Sequence, residues 1–376
     1  MKKNSGFTLI ELLVAIGVTS VALAAAVMMF RDSTKANTNV TQASDMSDNM
    51  RAGLNLIVQD LIQTGTGIPT GGISIPNTPN ASGCNTGGKV KRPPAVLVLT
   101  FNGPNAATAG CNVILPAIEP GNSLGPTVTS PDGTSGPQTD IITMMYVDNT
   151  MDSKPLPIIS PTCAGAITAT GSSITFDSSA GCGVTIGAAG IPVNPGDLFM
   201  IYNAINSNGV LQTVTSVSGQ TLNFASGDPF NLNGRTGTET AGTIKQLQNG
   251  APSAPNGTYP SPTSCARIWM ITYYLDTTAD PKHPRLMRAL NFNTPQPVAE
   301  TFENLQFAFN FVDGTTPPPV NQFTVPTGDN ENEIRSVNIY LGARTTNTAA
   351  LSSQYTRSNM ATQVALRSMA YFNNYK

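Results

Sequence analysis

Charge is scarce in this chain: Asp, Glu, Lys and Arg make 11% of its 376 residues, and the net charge is only −2. A protein whose main task is to hold a polyanion builds a basic field, so nucleic-acid binding is disfavoured as the principal role. Aromatics are few, at 6%, and His and Trp occur once each. There is no Gly-x-Ser-x-Gly elbow, no Walker-type phosphate loop, no dinucleotide fingerprint and no cysteine pair at CxxC spacing. These gaps leave hydrolase, nucleotide-enzyme and zinc-ribbon readings without a motif. Gly (34) and Pro (29) are plentiful, and 40% hydrophobic residues suffice for a core. The Asn, Thr, Ser and Gly richness suits a protein displayed outside the cytoplasm, built from β-structure and long polar loops.

The apolar residues are concentrated. From Phe7 to Phe30 the only charge is Glu11, and the only other polar side chains are Thr8, Thr19 and Ser20. A helix of that length crosses a hydrocarbon layer of ~30 Å at about 1.5 Å per residue. Lys2 and Lys3 precede the run and predict a cytoplasmic N-terminal end, with the remainder outside the membrane. The run is long for a cleaved secretory signal, and no small-x-small site closes it. Glu11 is the anomaly: a carboxylate one turn inside an apolar helix needs a partner, or a place near the headgroups at the positive end of the helix dipole.

The order basic leader, Gly6, then Phe7, Thr8, Leu9, Ile10 and Glu11 opening an apolar helix resembles the class III signal of type IV pilins and type II secretion pseudopilins. The resemblance implies cleavage between Gly6 and Phe7 by prepilin peptidase, N-methylation of Phe7, and retention of the apolar segment as an anchor. It also implies a partner for Glu11, the N-terminal amine of a neighbouring subunit, so that the carboxylate sets the register of assembly.

Beyond Phe30, Val40, Ala43, Met46, Met50, Leu54, Ile57 and Leu61 recur every three or four residues, one apolar stripe of a soluble helix. Gly65, Gly67 and Pro69 stop it, which predicts a rod of roughly 87 Å over Phe7 to Thr64. Strands are expected at 95–101, 140–147, 197–202, 209–217, 267–275, 285–290, 303–312, 334–343 and 363–372. Phe307, Phe309 and Phe311 alternate with smaller or polar residues, so three rings share one face as core. The intervals 65–94, 102–139, 148–196 and 226–264 read as loops. The series from Arg267 to Arg367 resembles the head of minor pilins of the PilW type and of J-type pseudopilins. The expected fold is α+β, a type IV pilin fold: leader 1–6, transmembrane helix 7–30, amphipathic helix 31–64, and a globular β-rich head with loop insertions, 65–376, on an antiparallel sheet.

Five cysteines lie beyond the anchor, where oxidation is possible. Sequence does not fix their pairing; Cys84 with Cys111 and Cys163 with Cys182 would each close one loop locally, leaving Cys265. Asp329, Glu331 and Glu333 alternate in a polar loop as weak candidate calcium ligands, a pattern that an exposed acidic loop explains more simply. Lys89, Lys91 and Arg92 form the one compact basic cluster, and His283 sits in a proline turn without a nucleophile beside it. The resemblance therefore implies a non-enzymatic minor pilin without cofactor. It would work with prepilin peptidase, other minor and major pilins and the inner-membrane assembly platform, with no small-molecule substrate and with nucleic acid disfavoured as a partner. It would reside in the bacterial inner membrane with a periplasmic head, and then in the extracellular pilus. The alternatives are a J-type pseudopilin and, from another class, a membrane-anchored periplasmic enzyme or binding protein, which requires a preformed pocket with convergent titratable groups.

Overall fold

The computed structural model describes the chain except for residues 1–7, 77–78, 81–82, 85–89, 98, 102–113, 150–154, 188–189, 204–207, 234–241, 249–257, 313, 316, 350–353 and 373–376. One helix, α1 (Leu9–Gln63), leads into a β-rich region. The whole is an α+β architecture of the type IV pilin-like kind. Thr8 caps α1, its hydroxyl accepting from Glu11 N–H, while the Glu11 carboxylate accepts from Thr8 N–H. At the other end Gly65 adopts φ 81° and its N–H donates to Met145 O at 2.9 Å, a left-handed turn that only glycine makes cheaply.

The strands that organise the head are β1 (Ile142–Val147), β2 (Leu156–Ser160), β3 (Leu198–Asn203), β4 (Asn208–Thr213), β5 (Thr263–Asp276), β6 (Arg285–Leu290), β7 (Gln296–Glu300), β8 (Phe302–Phe311), β9 (Ile334–Arg344) and β10 (Arg357–Ala365). β5 is the hub of an eleven-stranded sheet. Its first half pairs with β2 and β3, its second half with β1 and β6, all antiparallel. β8, β9 and β10 form a separate three-stranded antiparallel sheet, followed by a short helix, α2 (Arg367–Phe372).

Period-two alternation gives the large sheet two apolar faces. Leu198, Met200 and Leu211 face the core shared with α1, while Phe199, Ile201, Val210 and Cys265 face a second core. That second core is closed by a four-stranded sheet drawn from residues 166–223, where Ile174, Phe176, Leu222 and Phe224 are buried. Intervals expected as loops contain strands: 148–196 holds β2 and two strands of this sheet, and 65–94 and 102–139 hold others such as Ile73–Ser74, Ile118–Glu119 and Ser135–Gln138, because strands of two to five residues leave too short a pattern to read. Two other expectations shift. Of the strand expected at 95–101 only Leu99–Thr100 is one, Ala95–Leu97 being a single 3-10 turn, and the last strand lies at Arg357–Ala365, with α2 where a strand was expected. Phe307, Phe309 and Phe311 are all buried in the helix-side core.

Candidate functional site: the uncovered helix and its clasp

The two halves of α1 have opposite surroundings. Met46, Met50, Gly53, Leu54, Ile57, Asp60 and Leu61 are buried by the head, whereas nothing from Leu9 to Thr34 is. Val40, expected on the stripe, is 68% exposed and Ala43 is only half-buried, so full burial begins at Met46. The 26 positions from Leu9 to Thr34 are all exposed and carry the helix about 39 Å clear of the head before partial cover begins. Within this projecting segment an 18-residue window has a mean hydropathy of 2.4 with none of it buried, long and apolar enough to cross a membrane. The hydroxyls of its apolar stretch are satisfied within the helix. Thr19 Oγ1 donates to Ala15 O at 2.7 Å and Ser20 Oγ to Gly17 O at 2.8 Å. Thr8 Oγ1 donates to Glu11 Oε2 at 2.9 Å. A helix whose hydroxyls are internally bonded can sit in hydrocarbon or pack on copies of itself without leaving those groups bare.

The buried half is fastened by a polar clasp that the sequence reading missed. Asp60 is 3% exposed. Its carboxylate accepts from Tyr273 Oη at 2.5 Å, from Tyr146 Oη at 3.0 Å, and from Arg288 Nε and Nη2 at 2.8 and 3.2 Å. One acid thus ties α1 to β1, β5 and β6. Burial, with the Asp60 charge added to it, holds both tyrosine hydroxyls well above their ordinary pKa, so they stay protonated donors. The signal was present: Asp60 follows Ile57 by three residues and is an acid on the apolar face. Gly53 permits the close approach, since a Cβ there would meet Leu286 Cδ2 at 2.8 Å.

The remaining sequence candidates that the structure describes serve the fold. Gly6 and Phe7, Lys89, and Cys111 of the Cys84–Cys111 pairing lie outside the described residues. Cys163 and Cys182 are bonded, Cα to Cα 5.0 Å, and Cys265 is a buried free thiol whose pKa burial pushes up. Asp329, Glu331 and Glu333 do not converge on a metal. Glu333 caps a 3-10 turn by accepting from Asn330 N–H, Glu331 is 6% exposed, and no group of three or more potential ligands is arranged for an ion among the described residues. Nor is there a basic surface at Lys91 and Arg92. Arg92 is 2% exposed and donates to Thr143 Oγ1, Pro120 O and Glu119 O. Burial lowers the Arg92 pKa to about 10 and raises that of Glu119 to about 8, with Glu331 adding to the latter. His283 is held by Asp280 at 2.7 Å in its turn.

Arg267, another buried cation, lies between Asp148 at 2.5 Å and Asp197 at 3.4 Å and stacks on Trp269. A cavity of about 120 Å³ beside Glu303 and Arg357 is small for a metabolite, and its charges are already paired with one another and with Asp132.

No curated protein and no solved structure matches the chain. The family model described as the prokaryotic N-terminal methylation motif matches residues 1–27. Together with the uncovered apolar helix, that match marks the chain as type IV pilin-like, of the kind that prepilin peptidase processes.

Proposed function

We propose that the chain is a minor pilin of the PilW type, a structural and assembly subunit of a type IV pilus that primes the filament or stands at its tip as an adhesive surface, without catalysis of its own. The observation that carries this reading is the continuity of α1: one unbroken helix whose first half is apolar and uncovered and whose second half is locked into the head. A free-standing enzyme has no use for about 39 Å of bare helix, whereas a subunit that leaves a bilayer and stacks its helix among those of other pilins needs it.

In this reading residues 1–6 are removed, Phe7 is N-methylated, 7–30 is anchor and later filament core, and 31–64 carries the head, 65–376. The head starts on the periplasmic side of the inner membrane and ends outside the cell. The Thr8–Glu11 capping box keeps the carboxylate bonded in the lone subunit, and on assembly Glu11 faces the Phe7 amine of a neighbour, which selects one register. The same motif and stalk suit a J-type pseudopilin of type II secretion, and neighbouring pilus or secretion genes separate the two.

Mass spectrometry of sheared surface filaments tests the proposal. A peptide beginning at N-methylated Phe7 is expected, and full-length chain confined to membranes would overturn it. Glu11→Ala is expected to insert and be cleaved normally but to drop out of filaments, and unchanged incorporation would remove Glu11 from its role.

A further inference from the structure

Sheet edges expose unpaired backbone groups, and proteins blunt them with proline, bulges, short strands or covering loops. This head does so almost everywhere. Cys163–Ala164, Ile114–Leu115, Ala166–Ile167 and Ser216–Ser218 are edges of two or three residues, and β7 carries Pro297. The outer edge of β8 is covered: Phe309 N–H donates to Gln322 O, Phe311 N–H to Pro319 O, and Phe307 N–H to Asp140 Oδ2.

β10 is the exception. It is nine residues long, has neither Pro nor Lys, pairs with β9 without a register shift, and has no strand on its far side among the described residues. Its hydrogen-bonding phase follows from the ladder. Thr345 N–H donates to Thr356 O and Leu366 N–H to Arg335 O. In the observed register Ser358, Met360, Thr362 and Val364 therefore bond inward to β9. Arg357, Asn359, Ala361, Gln363 and Ala365 turn their N–H and C=O outward, and all five are exposed.

We propose that this edge is a self-association site, at which a second copy of the chain adds its own β10 antiparallel, centred on Ala361. About that centre the edge is complementary to itself. Arg357 falls opposite Ala365, so no like charges meet, and Asn359 falls opposite Gln363, two amides that can each donate and accept. The five facing pairs exchange about ten backbone hydrogen bonds. A single strand pair is a small interface, so it forms between copies that the apolar helix confines to one membrane, where effective concentration is high.

The test uses the full chain in lipid vesicles under mild oxidation. Ala361→Cys is expected to give a covalent dimer, as is the double variant Asn359→Cys with Gln363→Cys, while Gln363→Cys alone, several residues from its own copy, gives at least tenfold less. Adding Ala361→Pro to the double variant removes one outward donor and no inner bond, and should lower the dimer at least tenfold with the circular dichroism unchanged. Should proline disturb the fold, Ala361→Lys is the substitute. Equal cross-linking at 361 and 363 means collision or pairing through the helix alone and overturns the proposal. So does absence of dimer, insensitivity to both edge variants, or cross-linking at 361 in native membranes to a different polypeptide.

Discussion

Asp60→Ala is the sharpest perturbation of the stalk–head junction. It leaves the Arg288 guanidinium, 25% exposed, and the Tyr146 and Tyr273 hydroxyls without the carboxylate that all three share. Breaking a buried ion pair by removing one partner costs roughly 3–5 kcal/mol. Partial exposure lets water reach Arg288 and sets the expectation at the low end, about 3 kcal/mol. At about 2 cal/mol/K per residue over a head of some 300 residues, that is ~5 °C in Tm. Trp269, the single tryptophan, lies on β5 beside the clasp and reports unfolding by fluorescence of the detergent-solubilised chain. Arg288→Met completes a double-mutant cycle, in which a coupling of about 1–3 kcal/mol is expected. A loss below ~1 kcal/mol for Asp60→Ala, or a coupling below ~0.5 kcal/mol, would show that apolar packing alone holds the helix and would refute the clasp.

Gly53→Val should destabilise the head by about 1–3 kcal/mol, because the added carbons meet Leu286 and Phe302 in a filled core; a rise in Tm would contradict the close approach. Glu119 has a folded pKa of about 8 against an ordinary 4.5, so its contribution to stability is fully present below about pH 4.5 and is lost as pH rises through 8. Glu119→Gln should accordingly raise stability at pH 8 by an amount on the order of a few kcal/mol and change it little at pH 4.5, as read from urea unfolding at each pH; equal effects at both would place the carboxyl in water. Differential alkylation should recover Cys163 linked to Cys182 and label Cys265 only after unfolding. Converting both bonded cysteines to Ser should lower stability by roughly 3 kcal/mol, since the loop closed spans 19 positions.

The helix was legible because its signals are local and repeated: an apolar run, a three-to-four stripe, and Gly65 at a left-handed stop. Long strands with alternation, such as the one bearing Phe307, Phe309 and Phe311, were legible for the same reason. The four-stranded sheet over 166–223 was not, since its strands are too short to show a period and some of their partners are far away in sequence. Asp60 gave a weak sign, an acid on an apolar face, but nothing in the sequence connects it to Arg288, 228 positions later.

The sequence by itself determined that an apolar helix long enough to cross a membrane, with one acid near its start, follows a leader-like motif, because length, hydropathy and motif depend only on neighbouring residues. Tertiary structure alone decided where full burial of the helix begins, at Met46, which acids and arginines lose water together, and which strand edge, at Arg357–Ala365, has no partner strand among the described residues. Those are properties of distant segments brought together, and desolvation acts on the meeting, not on the order of residues along the chain.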